Sequence, residues 1–355
     1  MNQNQYYKFN FIVIINFVFA SIPFSITSES SIGYDTNFLK LSQKDEFYGE
    51  MYPELVGGAK STSSIIGKQK LLLSLKPNFF GYDSKVDFSM QNSMYLALDE
   101  KNYKSYSFKF YQNYGRYKWV KLKYFRTPYN YLREYYDRDN VSVYYVEGND
   151  FSAAERDSAA TYSREKVELE LTYPIKGIRG TWLLGSIAKE SQYYNKFFTE
   201  YDLDIFHYMV GLSWRYSRRI RVESKVTFSY ANNVGMAVES NSTIYQDRGY
   251  DQKTVWFSFS KKNRKSFIDS YGFYQNIAFR NYSSKFNLYD ILHYNRSHVD
   301  WTSTFWFSKK INKNVSLKCK IAYRNKDTDA IFAELLKTFN KFEYQLTLKF
   351  KILDR

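Results

Sequence analysis

The sequence predicts an all-β fold: a single antiparallel, up-and-down transmembrane β-barrel of about fourteen strands, within a range of twelve to sixteen. Three observations predict it. The last stretch, Phe342 to Ile352, alternates throughout, with Phe342, Tyr344, Leu346, Leu348, Phe350 and Ile352 on one face and Glu343, Gln345, Thr347, Lys349 and Lys351 on the other. Such a strand suits a wall with lipid on one side and water on the other. Short and long connections take turns along the chain. Aromatic residues make up 20% of it, with 36 tyrosines and 30 phenylalanines, and these types favour strands and membrane–water boundaries.

The strands follow in order. Gly33 to Leu41 is the first, weakly patterned through Tyr34, Phe38 and Leu41, and Ser42 to Ser64 is a long connection. Leu71, Leu73 and Leu75 mark the second strand. Val86, Phe88, Met90, Met94, Leu96 and Leu98 mark the third. Tyr106, Phe108 and Phe110 form the next apolar face, then Val120, Leu122 and Tyr124 opposite Trp119, Lys121 and Lys123. After a tyrosine-rich connection, Thr127 to Ser163, Val167, Leu169, Leu171 and Tyr173 alternate with Glu168, Glu170 and Thr172. Thr181 to Ala188 is apolar on both faces, which leaves its register open. Phe206 to Tyr216 and Ile220 to Tyr230 flank a short turn at Ser217–Arg219. Val255–Phe259, Tyr271–Phe279, Val299–Phe307 and Val315–Tyr323 lead to the closing strand.

From Pro77 onward, short turns fall at every second connection: Pro77–Asp83, Asn113–Arg116, Pro174–Ile178, Ser217–Arg219, Lys261–Lys265 and Lys309–Lys313. All but one of the others, Asp99–Asn102, are long. Outer-membrane barrels have this asymmetry, with short periplasmic turns and long external loops, whereas a Greek-key sandwich has no reason to keep it. An even strand number then puts both termini on the periplasmic side.

The N-terminus reads as export machinery. Met1 to Phe9 is polar with one cation, Lys8, and Phe11 to Ala20 is nearly all apolar. A short apolar core followed by a small residue is a secretory signal, assigned to residues 1–25, with the barrel over 26–355. Cleavage falls after Ala20 or nearer Ser25. The alternative is an uncleaved anchor, for which the apolar run is short, since a span needs ~20 residues. The single cysteine, Cys319, cannot form an intrachain disulfide.

A formal charge of +15 admits nucleic acid, anionic solutes or anionic lipid as partners. With no nucleic-acid module signature and an export signal, nucleic acid is excluded. The expected partners are outer-membrane lipid, the barrel-assembly machinery, and an anionic solute or polysaccharide.

Two motifs carry a family resemblance. Gly33-Tyr34-Asp35-Thr36-Asn37-Phe38-Leu39-Lys40-Leu41 looks like the first strand of porin-like barrels. An aromatic–Ser–basic hairpin recurs at Trp214–Arg219, Phe257–Lys262 and Phe305–Lys310. With these motifs the chain resembles the bacterial outer-membrane porin-like β-barrels. The resemblance implies passage of polysaccharide or small solutes. The closing strand departs from the usual assembly signal, because Phe350 is followed by Lys351-Ile352-Leu353-Asp354-Arg355 rather than ending the chain.

Alternation sends Lys109, Lys121, Lys123, Arg215, Arg221, Lys225, Arg280, Lys318, Lys320, Arg324, Lys349 and Lys351 to the lumen, with Glu168, Glu170, Glu223 and Glu343 opposing them. A net-positive wall concentrates anions. A salt-bridged lumen with no transport role is the alternative. Tyr135, Tyr136, Asp137 and Asp139 are loop-binding candidates, which keeps open a structural barrel that acts on partners through its external loops. No catalytic residue, metal site or cofactor is assigned. His293, His298 and Asp300 have the spacing of a ligand trio but read better as strand-end polar residues. His207 with Ser213 is the one pair with the residue types for hydrolysis.

Overall fold

The computed structural model describes residues 22–51, 56–59, 61–134, 159–195, 198–235, 248–263, 266–284, 293–330 and 337–354. Its strands run β1 Phe24–Asp35, β2 Ser64–Leu75, β3 Asn78–Phe79, β4 Tyr82–Tyr95, β5 Tyr103–Gly115, β6 Lys118–Glu134, β7 Ala159–Pro174 and β8 Thr181–Tyr194. They continue as β9 Leu203–Trp214, β10 Ile220–Asn233, β11 Tyr250–Lys262, β12 Ser270–Tyr282, β13 Ser297–Lys310, β14 Val315–Asp329 and β15 Phe339–Asp354. Apart from the two-residue β3, all are 12 to 17 residues long, beyond the ~9–11 that a tilted strand needs to cross a bilayer.

Each strand pairs antiparallel with its sequence neighbours. β1 bridges β2 and β15, and β2 pairs β4, so that among the described residues fourteen strands close on themselves, with β3 a small pairing beside β4. Closure satisfies every ladder N–H and C=O within the wall, which a membrane demands because lipid offers no partner. The apolar alternates of successive strands meet across the ladder: Leu71 with Met90, Phe88 with Phe108, Leu122 with Leu169, Val210 with Val226, Phe305 with Ile321. Most of these side chains are exposed, among them Val210 at 62% and Phe305 at 59%. In a closed barrel that exposed apolar face is the lipid face.

The first strand differs from its expectation. β1 ends at Asp35, nine residues earlier at its start than Gly33, and begins within the segment read as leader. The closing strand does seal against it, from Ser25 opposite Asp354 to Asp35 opposite Glu343. Its outward face is weak because Ser28 and Ser30 occupy it. These hydroxyls and Gln69 of β2 bond one another, with Gln69 Nε2 donating to Ser28 Oγ at 2.8 Å and Ser30 Oγ donating to Gln69 Oε1 at 2.6 Å. Mutual bonding removes most of the penalty of facing lipid with polar groups.

Residues Thr36–Leu41, expected as strand, instead turn inward. The Asn37 side chain donates to Leu41 O at 2.8 Å and accepts from Leu41 N at 2.8 Å. Ser42 then caps a helix, α1 (Gln43–Met51): Asp45 N donates to Ser42 Oγ at 3.1 Å while the Asp45 carboxylate reaches back to Ser42 N at 3.5 Å, a reciprocal capping box. Phe38 packs on Tyr95, 5.7 Å between rings. Phe38, Leu39, Leu41, Val56 and Ala59 bury themselves against Leu98 and Tyr131. Leu98, expected on the lipid face of a strand, lies past the end of β4 and serves this core instead. Tyr129 and Tyr131, expected in a connection, lie in β6.

Candidate functional site

The inner wall is built by the polar alternates, and closure decides which of them meet. Along β6 and β7, Lys121 and Lys123 stand opposite Glu170 and Glu168. Lys123 Nζ lies 2.8 Å from Glu168 and 2.6 Å from Glu170, and Lys121 bonds Glu170 as well. Two cations and two carboxylates therefore cancel. Farther round, Glu223 takes both Arg221, at 2.9 Å, and Lys225, at 2.7 Å. The Lys225 ammonium also sits 4.9 Å from the Trp256 ring centre. Arg215 is not on a strand. It follows the end of β9 in the turn to β10, its guanidinium 5.4 Å from the Trp182 ring centre.

The wall from β13 through β14, β15 and β1 to β2 differs. A cavity of about 460 Å³ opens there, lined by Lys68, Lys70, Lys318, Lys320, Lys349 and Glu29 together with uncharged groups that include Trp306. Glu29 holds Lys349 at 3.0 Å and Lys70 at 4.0 Å. One oxygen of Glu343 is shared by Lys68 and Lys320, each at 3.4 Å. Lys318 forms no ion pair with a carboxylate among the described residues and lies 4.9 Å from the Trp306 ring centre. Five lysines thus face two carboxylates. Arg324, higher on β14, is matched by Asp300, with Nε donating to Oδ1 at 2.9 Å.

The strand pattern named Lys121, Lys123, Arg221, Lys225, Lys318, Lys320 and Arg324 without separating the neutralised from the unneutralised. It missed Lys68 and Glu29, because only the pairing of β1 with both β2 and β15 brings them beside Lys349 and Glu343. It also missed Lys40, whose backbone sits at φ 60 in the inward turn. The Lys40 ammonium is pushed well below the ordinary lysine range, first by its enclosure within the barrel mouth, then by Arg324, Lys101 and Lys341, with Asp300 opposing. Tyr135, Tyr136, Asp137 and Asp139 lie outside the described residues.

The groups with hydrolytic or metal-binding residue types are otherwise engaged. Ser213 accepts from Arg221 Nε at 3.0 Å, and His207 instead faces Ser229, its Nδ1 2.8 Å from Ser229 Oγ. His207 Nε2 stands 3.5 Å from Glu190, whose two oxygens accept from the Arg164 fork at 2.8 Å each. The backbone around Ser229 is committed to ladders with β9 and β11, so the paired free N–H groups that stabilise an oxyanion are not presented there. Asp300 is held by Arg324, and His293 lies against Arg248.

No protein-family model matches the chain. No curated protein matches it either. Solved structures do. An anion-selective porin from Comamonas acidovorans is 8% identical with a TM-score of 0.43, over 94% of this chain and 99% of that one. The outer membrane channel DcaP of Acinetobacter baumannii is 8% identical with a TM-score of 0.49, over 93% and 97%. A structure described as a bacterial polysaccharide outer membrane secretin is 8% identical with a TM-score of 0.45, over 92% and 98%. These are likenesses of barrel architecture, and what the inner wall can do follows from its own residues. By its closed fourteen-strand wall and apolar outer face, the chain has the architecture of an outer-membrane β-barrel.

Proposed function

We propose that the barrel is a passive channel whose inner wall favours small anionic solutes. The observation that carries this reading is the cavity of about 460 Å³ where, among the described residues, Lys68, Lys70, Lys318, Lys320 and Lys349 are opposed by the carboxylates of Glu29 and Glu343. Lysine is a compact, strongly hydrated point charge on a flexible stem. Such groups attract a passing anion without the planar fork that would hold it, which suits passage better than capture. A wall lined with one sign of charge raises the local concentration of the opposite ion and lowers its barrier to entry.

The inward turn Thr36–Leu41 packs against Leu98 and Tyr131 at the mouth of this wall, and Lys101 lies beside it. The test is reversal potential in planar bilayers under a potassium chloride gradient. Chloride-favouring reversal is expected. Cation-favouring reversal, or no conductance from correctly folded barrels, overturns the reading.

A further inference from the structure

The cations that β14 contributes to the inner wall fall in a line along the strand. Alternate residues of β14 point inward, and they read Ser316, Lys318, Lys320, Ala322, Arg324, Lys326 and Thr328. Four of these seven are cations and none is an acid. β7 and β10 differ: their inward alternates mix signs, Lys166 with Glu168 and Glu170 in one, Arg221 and Lys225 with Glu223 in the other. From Lys318 to Lys326 the column spans roughly 26 Å at ~3.3 Å per residue, with adjacent side chains ~6.6 Å apart. That is close to the full apolar height of a membrane barrel, ~25 Å.

The flanking strands leave two of the four cations without an ion pair among the described residues. β15 offers Glu343, already shared between Lys68 and Lys320, and β13 offers Asp300, bonded by Arg324. Lys318 and Lys326 have no ion-paired carboxylate among the described residues.

We propose that the inner face of β14 is a binding track for a linear polyanion, a chain carrying anionic groups at intervals along its length. The proposal rests on the anion-favouring channel read above and names the class of solute that its wall suits. A single small anion meets one or two of these cations at a time. An extended chain meets Lys318, Lys320, Arg324 and Lys326 together, and its second and later contacts are intramolecular, so affinity rises steeply with the number of charges. Each neutralised contact also releases counterions from the chain, so the affinity falls with added salt.

The chemistry is shared by acidic oligosaccharides and polyphosphates, and the experiment separates them. Chloride current through single channels is blocked with galacturonate, its trimer and its hexamer, and in parallel with orthophosphate, tripolyphosphate and a ten-unit polyphosphate. The longest member of at least one series is expected to block at least tenfold more tightly than its monomer. The series with the larger gain identifies whether carboxylate or phosphate chains are preferred. In Lys318→Met/Lys326→Met, whose folding is checked by the heat-modifiable gel shift, the gain of the preferred chain is expected to fall at least threefold while the monomer's block changes less. Equal block by monomer and longest chain in both series overturns the track, as does a gain that persists unchanged in the double variant. Chloride selectivity read on the same channels keeps the two claims apart: selectivity without length dependence overturns the track alone, and loss of selectivity overturns the channel reading.

Discussion

Replacing Lys318 and Lys320 together with methionine tests the inner wall most directly. The change keeps the length of the side chains and removes two of the five lysines that face Glu29 and Glu343. For an ion passing ~8 Å from the two ammonium groups in water, their combined attraction is roughly 1 kcal/mol. At 0.1 M salt the Debye length of ~10 Å cuts that to about 0.5 kcal/mol. Such a loss lowers the local anion concentration about twofold and raises that of cations by the same factor, so the anion-to-cation permeability ratio falls roughly fivefold. The matched control neutralises Lys121, Lys123, Glu168 and Glu170 together, a set whose charges already cancel across β6 and β7. It is expected to leave the ratio within about twofold of the parent at the same salt. Both are read from reversal potentials of purified channels, after the heat-modifiable band shift has shown them folded. If the quadruple neutralisation shifts selectivity as much as the Lys318/Lys320 pair does, local compensation does not govern the wall and the reasoning fails.

Two further outcomes follow from groups outside the spanning strands. The Lys101 ammonium is pushed down from 10.5 to about 8, first by burial and then by Lys341, with Asp35 opposing. Between those values the unfolded chain holds a proton that the folded one has lost, so this group makes stability rise with pH across that window. As the pH passes through about 8 the mouth loses a cation, so the chloride preference is expected to drop between about pH 7 and pH 9, and less in Lys101→Met. An identical drop in that variant would assign the titration elsewhere. At Gly57, with φ +68, an added Cβ would lie 2.2 Å from the Tyr131 hydroxyl. Gly57→Ala is therefore expected to loosen the inward segment by at least about 1 kcal/mol, seen as faster hydrogen exchange over residues 36–51 with the barrel intact. Unchanged protection there would show that Tyr131 does not anchor the segment.

Much of the fold was legible in order along the chain. Alternation is a local property, and Phe342 to Ile352, Val167 to Tyr173 and Val315 to Tyr323 declare themselves residue by residue. The alternation of short turns and long loops fixed which ends lie together. β1 was misplaced because Ser28 and Ser30 break its apolar face, and the amide that excuses them, Gln69, belongs to another strand. Thr36–Leu41 was read as strand because Phe38 and Leu41 keep a plausible period, whereas their burial is against Leu98 and Tyr131. Arg215 was carried one residue too far along β9, where the turn begins.

The sequence by itself determined the class of wall: which faces are apolar, how many times the chain crosses, and that cations outnumber acids. These follow from the period of two along a strand and from composition, which need no knowledge of neighbours. Only the tertiary structure decided which cations are cancelled. Lys121 and Lys123 look no different in sequence from Lys318 and Lys320, each pair alternating with apolar residues on a strand. Charge compensation acts over a few ångströms across the ladder, and the ladder is set by closure. Glu168 and Glu170 fall opposite the first pair, while in the second only Lys320 reaches a carboxylate, Glu343, which it shares with Lys68 of β2.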